Sequence, residues 1–568
     1  MEQLKQALTD ALGAAFQRAA QTEGWPATTM PEVQWEYPPD PAFGDLSTPV
    51  SFSLAKLLRR RPREIAVALQ RAIKADPLLV DRVEVAGAGY LNVFVATARW
   101  QAIIPEILAA GTAFGRAELG NGRRVQVEFV SANPTGPLHV GHGRGAALGD
   151  AIASLLEAVG YRVEREFYIN DAGTQVRLLG ESVWARLQEA AGRPAAFPEN
   201  GYHGEYVRDV ASQLAAADPG LMSLGAGQGV AVCAERGAAL LLEEIKADLR
   251  DFGVVFDSWF SEKRLFESGE VEAALATLRA GGYLYEDGRA VGFRASDFGD
   301  EKDRILIRST GEPTYFTSDI AYHANKIRRG FDKLINIWGA DHGGYVKRMT
   351  AAVAALSDKR VTLDVKLCQL VKLMRAGEPV KMSKRAGDFV TLREVVDEVG
   401  VDAVRFMMLY RKNDAPLDFD LAKVIEQSKD NPVFYVQYAH ARGKSALRQA
   451  LAAFPDIDLS AVSLAEADLA LLADEGELVL ARMIAQYPRV IEAAAAAHEP
   501  HRVAFYLHEL SSVFHSHWNR GKDQPQLRFV KSEERELTIA RVALVSSLTI
   551  VLGSGLRLLG VSAPDEMR

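Results

Sequence analysis

The alternation of apolar and polar residues predicts a series of strands in the middle of the chain. The runs VQVEFV, EFYI, LINIW and CQLVKLM alternate as strands do, and helical patterns separate them. Strands that alternate with helices are typical of a parallel sheet with crossover helices. We therefore predict an α/β fold with a Rossmann-like sheet over residues 116–410, interrupted by a mainly helical insertion at about residues 171–251.

The two ends of the chain have different patterns. The first 115 residues mix helical segments with strand-like runs at residues 33–37 and 83–95, which predicts an α+β domain that ends at the glycine-rich stretch GRAELGNGRR. After Arg405 the strand patterns vanish, and long Ala/Leu-rich helices continue to the end. We therefore predict an all-α bundle over residues 411–568.

Composition limits the class of protein. The N-terminus is amphipathic rather than a signal peptide and no run of about 18 apolar residues exists, so we expect neither a membrane partner nor export. The two cysteines, Cys233 and Cys368, are too few for a disulfide framework and lack CxxC spacing for zinc, which fits a reducing cytoplasm. The net charge of −8 disfavours a nucleic-acid partner, although RPREIAVALQRAIK would supply a local basic face; a solvated helix face is the alternative.

The first candidate site is the motif His139-Val140-Gly141-His142. It follows a predicted strand and turn and opens a helix predicted from about residue 143 to 159. The unpaired N–H groups and the positive dipole end of a helix N-terminus favour phosphate. Gly141 would let a flat base lie against the backbone. Two histidines that merely pack beside a glycine are the alternative.

The second candidate site is Lys381-Met382-Ser383-Lys384, much further along the chain. Cationic groups on a mobile loop suit a phosphate charge that develops only during a reaction. A solvated turn is the alternative for an isolated charged tetrapeptide. The two motifs together, in this order, indicate nucleotide chemistry.

The chain resembles the class I aminoacyl-tRNA synthetases and, among them, the arginyl-tRNA synthetases of bacterial type. The segments VEFVSANPTGPLHVGH, YINDAGTQ, YHGEY, EPTYFTSDIAYH, WGADHGGY and LLGVSAPDEM carry the resemblance, which covers essentially the whole chain. It implies the ATP-dependent attachment of L-arginine to tRNA(Arg) through an arginyl-adenylate, with release of AMP and pyrophosphate and with Mg²⁺ accompanying ATP. It also implies an N-terminal domain that contacts tRNA, a class I catalytic domain and a C-terminal anticodon-binding bundle. We expect a cytoplasmic monomer without structural zinc.

The resemblance implies roles for particular residues. Catalysis falls to His139, His142, Lys381 and Lys384, and ATP binding to these four with Gly141, Asp341, His342, Met382 and Ser383. Arginine binding falls to Glu128, Ser131, Asn133, Tyr315 and Asp319, and a guanidinium pairs best with carboxylates. A salt bridge from Glu128 to Arg124 and simple packing of Tyr315 are the alternatives. Gly339 and Ala340 replace a glutamine pair of some eukaryotic relatives, and His342 is the expected substitute.

Candidate tRNA contacts lie in both end domains. They are Tyr90 and Asn92 near the N-terminus, and Tyr435, Tyr438, Arg442, Phe514 and Trp518 in the C-terminal bundle. Aromatic rings beside an Arg suit unstacked loop bases, and each stack contributes about 1–3 kcal/mol. Aromatic residues at helical spacing are also typical of a core, which is the alternative.

Two other classes of protein stay open. One is a synthetase-like protein that has lost catalysis and only binds RNA or a partner, which the intact HVGH and KMSK motifs disfavour. The other is a related enzyme that activates another amino acid, which the carboxylates at Glu128 and Asp319 and the lack of zinc ligands disfavour.

Overall fold

The first part of the chain forms a three-stranded antiparallel sheet with helices packed on it. The computed structural model describes residues 2–38, 40–380 and 389–567. The strand predicted at residues 33–37 is wrong, because this segment makes only an isolated bridge between Glu36 and Ser47. The elements are α1 (Glu2–Glu23), β1 (Leu46–Thr48), α2 (Val50–Leu58), α3 (Pro62–Ala72), β2 (Val80–Ala86), β3 (Tyr90–Val95), α4 (Thr97–Gln101) and α5 (Ile103–Ala110), with β3 between β1 and β2.

Strands and helices alternate in the middle of the chain. The first group is β4 (Arg124–Glu128), α6 (Val140–Ala158), β5 (Arg162–Ile169), α7 (Thr174–Ala190), α8 (Tyr206–Ala217), α9 (Ala226–Asp251), β6 (Ser258–Ser261), α10 (Glu262–Glu267) and α11 (Glu270–Ala280). The second group is β7 (Leu284–Asp287), β8 (Ala290–Phe293), β9 (Arg304–Ile307), α12 (Tyr315–Arg328), β10 (Lys333–Gly339), α13 (Val346–Ser357), β11 (Thr362–Cys368), β12 (Val371–Arg375), β13 (Glu378–Pro379), α14 (Leu392–Val399), α15 (Val401–Leu409) and β14 (Leu417–Asp420).

A five-stranded parallel sheet organises this region. Its spatial order is β11-β10-β4-β5-β6, which confirms the predicted parallel sheet with crossover helices. CQLVKLM, predicted as one strand, is divided between β11 and β12, and β12 belongs to a second sheet of order β13-β12-β14. The division has a physical cause, since the N–H of Gln369 bonds to Asn413 and its carbonyl to Arg144, which turns the backbone away from the first sheet.

The last part of the chain is a helical bundle. Its helices are α16 (Pro432–Ala453), α17 (Ala461–Ala465), α18 (Glu475–Ala485), α19 (Tyr487–Ala497), α20 (His501–Asp523) and α21 (Arg535–Leu558). The prediction that strands end after Arg405 is wrong, because β14 pairs in parallel with β12. Helix α21 is long and apolar enough to cross a membrane, but 83% of its most apolar window is buried, as in a core helix.

Helix α6 packs unusually close to the sheet. A Cβ added at Gly149 would lie 2.2 Å from the ring of Phe129, which follows β4. Glycine at this position therefore lets the helix axis approach the strand, and the apolar residues around it are almost completely enclosed. The N-terminus of the same helix is held at the carboxyl edge of the sheet.

We expect Gly149→Ala to destabilise the protein, because overpacking against the Phe129 ring costs about 1–3 kcal/mol. The apparent melting temperature should fall by about 1–5 °C, because a cooperative unit of this size has a large unfolding entropy. Gly145→Ala in the same helix is the control, since an added Cβ there meets no atom within 4 Å. Equal melting temperatures for the two variants, measured by circular dichroism, would contradict the close approach.

Candidate active site

Helix α6 begins with a cap made by the two histidines of the HVGH motif. The backbone N–H of Gly141 donates to Nδ1 of His139, and the backbone N–H of His139 donates to Nδ1 of His142, each over 3.1 Å. The pair forms a capping box in which His142 takes the place usually held by Glu or Gln. The rings are stacked, with centroids 3.7 Å apart. Because each Nδ1 accepts a hydrogen bond, a neutral ring carries its proton on Nε2.

Gly141 permits this cap. A Cβ at position 141 would come within 3.0 Å of the His139 ring. The missing side chain therefore admits the imidazole, a constraint that the sequence argument about a flat base did not include.

The loop between β4 and α6 contains two consecutive non-glycine residues in the left-handed region. The φ angle is +67° at Val130 and +42° at Ser131, and the Ser131 N–H bonds to the Phe129 carbonyl over 2.9 Å. Such a conformation is rare for a β-branched residue, and strain of this kind costs about 1–3 kcal/mol. The Ser131 hydroxyl supports the turn, since it donates to Glu128 and accepts from the N–H of Tyr168, each over 3.1 Å.

A cavity of about 680 Å³ lies at the carboxyl ends of β4, β10 and β11. In doubly wound folds this edge of the sheet is where ligands bind. The side chains of Asp341 and His342 are 82% and 63% exposed there. The predicted residues that line the cavity are Ser131, Asn133, His139, Gly141, His142, Asp341 and His342.

Lys381, Met382, Ser383 and Lys384 lie outside the described residues. The chain that follows them is attached to the site, because the N–H of Leu392 bonds to the carbonyl of Leu138 over 2.7 Å. Phe389 lines the cavity itself. The chain after the second motif is therefore joined to the residue that precedes the first motif.

A second cavity, of about 530 Å³, adjoins the first. Gln175, Glu262 and Tyr315 are among the residues that line it. Asn133 lines the first cavity and donates to the side chain of Gln175 over 2.5 Å, so this hydrogen bond lies where the two cavities adjoin. Tyr315 begins α12 and is 81% exposed, which excludes the core-packing alternative.

Two carboxyl groups in this region, Asp319 and Glu262, form no salt bridge with any described residue. Burial raises the pKa of Asp319 to about 6, and the nearby Glu128 adds to the increase, while a hydrogen bond from the Tyr345 hydroxyl opposes it. Burial also raises the pKa of Glu262, with Asp319 and Asp171 as neighbouring acids. Partly desolvated acids without a basic partner favour a positively charged ligand.

Glu128 has a different environment from the predicted one. The ammonium group of Lys326 lies 2.6 Å from its carboxylate, and both side chains are buried. Glu128 therefore forms a salt bridge, as the alternative predicted, but its partner is Lys326 and not Arg124. Arg124 pairs with Glu164 at 3.7 Å. Since a buried charge is costly without a partner, Lys326 removes the need for a ligand to balance Glu128.

The candidate aromatic residues of the C-terminal bundle differ in exposure. Arg442 lies over the rings of Tyr438 and Trp518, at 4.4 and 5.1 Å from their centroids, and Tyr435 contacts the ring of His515. Tyr438 is 36% exposed, whereas Phe514 is 0% exposed. The prediction of a direct RNA contact by Phe514 is wrong for this conformation, because its ring is fully enclosed beneath Trp518.

The two N-terminal candidates differ in the same way. Tyr90 is 40% exposed and packs on Phe52, with ring centroids 5.1 Å apart. Asn92 is 4% exposed and accepts a hydrogen bond from Ser47 over 2.7 Å. The burial of Asn92 and the use of its amide oxygen inside the sheet argue against the predicted contact, which stays untested.

The acidic groups and the Cys368 thiol of the described residues bear on metal binding and on covalent chemistry. Within the described ranges, no group of three or more His, Cys, Asp or Glu side chains is arranged to hold a metal ion. Cys368 lines the first cavity, and burial raises its pKa to about 11. A thiol that stays protonated is a poor nucleophile and metal ligand.

Three family models match successive parts of the chain. The arginyl tRNA synthetase N terminal domain matches residues 2–95, the class I (R) tRNA synthetase catalytic domain matches residues 103–195, and the DALR anticodon binding domain matches residues 436–567. Together with the parallel sheet and the histidine-capped helix at its carboxyl edge, these matches define a class I aminoacyl-tRNA synthetase.

Relatives and solved structures narrow the class. The arginine–tRNA ligases of Methylobacterium nodulans and Beijerinckia indica are each 54% identical to the chain, with 94% of both sequences covered. A crystal structure from Campylobacter jejuni, assigned as an arginyl-tRNA synthetase, is 32% identical with a TM-score of 0.74, and covers 83% of this chain and 100% of that one. The arginyl-tRNA synthetase of Thermus thermophilus, at 24% identity, shares the fold with a TM-score of 0.70 over 99% of this chain and 100% of that one. The chain therefore belongs to the arginine–tRNA ligase family.

Proposed function

We propose that the two adjoining cavities hold the substrates of tRNA arginylation. As a member of its family, the chain uses ATP to attach L-arginine to tRNA(Arg). In the first step a carboxylate oxygen of arginine bonds to the α-phosphorus of ATP while the bond to pyrophosphate breaks. In the second step a hydroxyl of the terminal ribose of tRNA takes the acyl group, and AMP leaves.

The observation that supports arginine as the amino acid is the pair of acids without a described basic partner, Asp319 and Glu262. A guanidinium carries five N–H donors in a planar fork and no acceptor, so it pairs best with carboxylates. We place the guanidinium between these two groups, with the Tyr315 hydroxyl as a further acceptor. Asn133, beside the first cavity, would then meet the α-amino end of the ligand.

ATP fits the first cavity by its chemistry. The N-terminus of α6 offers a positive dipole end, and His139 and His142 offer Nε2–H donors when neutral. Catalysis then consists of alignment and stabilisation of phosphate charge, to which Lys381 and Lys384 would contribute. No side-chain nucleophile is required. We place Mg²⁺ with the triphosphate, since the described residues provide no metal-binding group of their own.

Asp341 and His342 complete the nucleotide side of the site. Their exposed side chains border the first cavity, where they would meet the ribose and adenine. His342 also lowers the pKa of Asp319, although burial is the larger influence, so it lies within electrostatic reach of the guanidinium site. This position supports His342 as the substitute for the glutamine pair that Gly339 and Ala340 replace.

We propose tRNA contacts at the exposed rings of Tyr90 and Tyr438 and at the partly buried rings of Tyr435 and Trp518, with Arg442 between Tyr438 and Trp518. We also propose three domains, at residues 1–115, 116–430 and 431–568. The last boundary is moved from residue 410 because β14 pairs with the second sheet. A cytoplasmic monomer without a membrane partner stays our expectation.

Arginine-dependent exchange of pyrophosphate into ATP tests the assignment directly. Exchange should occur with arginine and not with the other amino acids, and it should be measured with and without tRNA(Arg). Exchange driven by a different amino acid would overturn the guanidinium site. A protein that binds tRNA but exchanges with no amino acid would be one that has lost catalysis.

We expect acid to weaken arginine activation through Asp319. Its carboxyl has a pKa of about 6 before arginine binds, so kcat/KM for arginine should fall about tenfold per pH unit below pH 6 and be flat above it. We call this fall in kcat/KM at low pH the acid limb, and Asp319→Asn should remove it. The same variant should weaken arginine binding by about 2–5 kcal/mol, or about 30-fold to several thousand-fold, with ATP affinity unchanged.

Tyr345→Phe is the matched variant for this titration. It removes the hydrogen bond that lowers the pKa of Asp319, so the acid limb should move to higher pH. An unchanged limb in Tyr345→Phe, or undiminished arginine affinity in Asp319→Asn, would remove Asp319 from the site.

We expect His142→Ala to slow adenylate formation about 100- to 1000-fold, because it removes a donor to the developing phosphate charge. His142→Gln separates this role from the cap, since Gln can still accept the N–H of His139. Single-turnover kinetics should show both variants slow. A normal rate in His142→Gln would show that the His142 side chain serves only as a helix cap. Lys384→Ala should slow the same step with little effect on arginine binding.

We expect Trp518→Ala to raise KM for tRNA(Arg), since a lost base stack costs about 1–3 kcal/mol, or about 5- to 150-fold. Phe514→Ala is the control, because its ring is fully buried and its loss should lower the melting temperature instead. Lost stability with unchanged tRNA kinetics in Trp518→Ala would show that this ring belongs only to the core.

A further inference from the structure

Lys326 is a fully buried cation beneath the two cavities. Its side chain is 0% exposed, and its ammonium group lies 2.6 Å from Glu128, 3.2 Å from the Asn336 amide oxygen and 4.3 Å from the centre of the Tyr322 ring. The three N–H donors of the ammonium group therefore have three polar or aromatic neighbours, on β4, β10 and α12. Burial of an ammonium group costs free energy of folding, so packing alone does not account for a lysine at this position.

One branch of contacts leads from Lys326 to the strained loop. Glu128 accepts from Lys326 with one oxygen and from the Ser131 hydroxyl with the other. Ser131 is one of the two left-handed residues, and Asn133 and the HVGH motif follow within a few positions. A change in the Glu128 carboxylate therefore acts on the loop that lines the nucleotide cavity.

A second branch leads from Lys326 to the proposed guanidinium site. The Asn336 amide donates to Nε2 of His323 over 3.0 Å, and Nδ1 of His323 bonds to the backbone carbonyl of Asp319 over 2.8 Å. Burial lowers the pKa of His323 to about 3, with Lys326 as a further cause, so the ring is neutral and can serve both bonds at once. Lys326 thus contacts the supports of both substrate sites.

The other buried acid nearby, Glu166, has an ion-pair partner of its own in Arg329. Glu166 accepts from both Nη atoms of Arg329, from the Gln126 amide and from the Tyr322 hydroxyl. These partners, with the charge of Lys326, hold the pKa of Glu166 below its usual value despite burial. Glu128 is the acid whose only described ion pair is with Lys326.

We propose that Lys326 is a positioning residue for arginine activation, which fixes the Glu128 carboxylate under the nucleotide loop and supports the Asp319 turn of α12. The proposal rests on the function assigned above to the two cavities. Lys326 touches neither substrate, and its effect reaches them through Glu128 and Asp319.

The test compares Lys326→Met, Glu128→Gln and the double variant, with Lys347→Met as the control. Met has a similar length without charge, and Lys347 is an exposed lysine that pairs with Glu301. Each full-length protein is assayed by arginine-dependent pyrophosphate exchange from pH 5 to 9, which gives kcat and KM for arginine and for ATP. Melting temperatures are recorded in parallel.

We expect Lys326→Met to lower kcat/KM for arginine by about 100-fold through misplacement of the reacting groups. The acid limb is compared between Glu128→Gln and the double variant, because Lys326→Met alone leaves Glu128 without its ion-pair partner and so also changes the influence of Glu128 on Asp319. The limb should lie at higher pH in the double variant than in Glu128→Gln, because Lys326 lowers the pKa of Asp319. The other groups that act on Asp319 are Tyr345, His342, Glu262 and Tyr168, and none of them differs between these two variants. The Lys347→Met control should match the wild-type protein in both respects.

The double variant separates positioning from stability. Removing both charges should restore melting temperature, since a lone buried charge costs more than a missing pair. Its loss in kcat/KM for arginine should be smaller than the product of the two single losses, because Lys326 acts partly through Glu128. Wild-type kinetics in Lys326→Met would overturn the proposal. Single effects that multiply in the double variant, or an acid limb at the same pH in Glu128→Gln and in the double variant, would overturn it too.

Two further outcomes are assigned in advance. If Lys326→Met does not fold, the double variant is compared with Glu128→Gln alone: an acid limb at higher pH than in Glu128→Gln supports the proposal, and an unmoved limb overturns it. If the wild-type protein shows no arginine-dependent exchange, the proposed function itself fails, and this result is distinct from a failure of Lys326.

Discussion

The buried contact between Arg405 and Asp150 ties the middle region of the chain to the C-terminal bundle. Asp150 lies on α6, and Arg405 reaches from α15 to bond it as well as the carbonyls of Phe252, after α9, and Leu559, after α21. The Arg405 side chain is fully enclosed, so removal of Asp150 would leave a buried guanidinium without its described ion-pair partner at a cost of about 3–5 kcal/mol, whereas Asp150 also pairs with Arg165 at 3.1 Å. The tight space also explains Gly560, where an added Cβ would overlap the guanidinium of Arg405. Since α6 carries the histidine cap at its N-terminus, the orientation of the active site depends on this contact with the C-terminal bundle.

A second buried arginine fixes the same helix nearer the site. Arg144, one turn after the HVGH motif, donates to the carbonyls of Gln369, Lys412 and Ala415. Carbonyl oxygens can satisfy its donors but cannot neutralise its charge, and burial lowers the pKa of Arg144 accordingly. The segment at Gln369 lines the nucleotide cavity, so Arg144 sets the distance between the helix N-terminus and the opposite wall. Helix α6 is therefore held by directional bonds near its N-terminus and at its middle, where Gly149 also lets it rest on the sheet.

The sequence predicted the parts of this structure that depend on local pattern. Periodicity identified β4, β5 and β10, and the strand-turn-helix pattern around residues 125–159 located the site before any contact was known. The sequence-based predictions were wrong where residues distant in sequence determine the structure. The CQLVKLM run is divided because Arg144 and Asn413 form hydrogen bonds with the backbone of Gln369. Strand β14 forms because it pairs with β12. The sequence also did not predict which aromatic rings are exposed, because spacing alone does not distinguish the enclosed ring of Phe514 from the accessible ring of Tyr438. Glu262 was missed because it comes from α10, far from either motif, and only the fold brings it near Asp319.

Lys326, in contrast, had a signal in the sequence. Tyr315, Asp319, Tyr322 and Lys326 follow one another at intervals of four, three and four residues, which places them on one face of α12. The face begins with an exposed tyrosine at the cavity, continues with an acid that has no described basic partner, and ends with a buried cation paired to an acid of β4. One helix thus separates two kinds of buried carboxylate. Glu128 is neutralised within the protein, whereas Asp319, two turns nearer the opening, keeps its charge for a ligand. The proposed guanidinium specificity depends on this difference, because an ammonium placed closer to Asp319 would occupy the position that we assign to arginine.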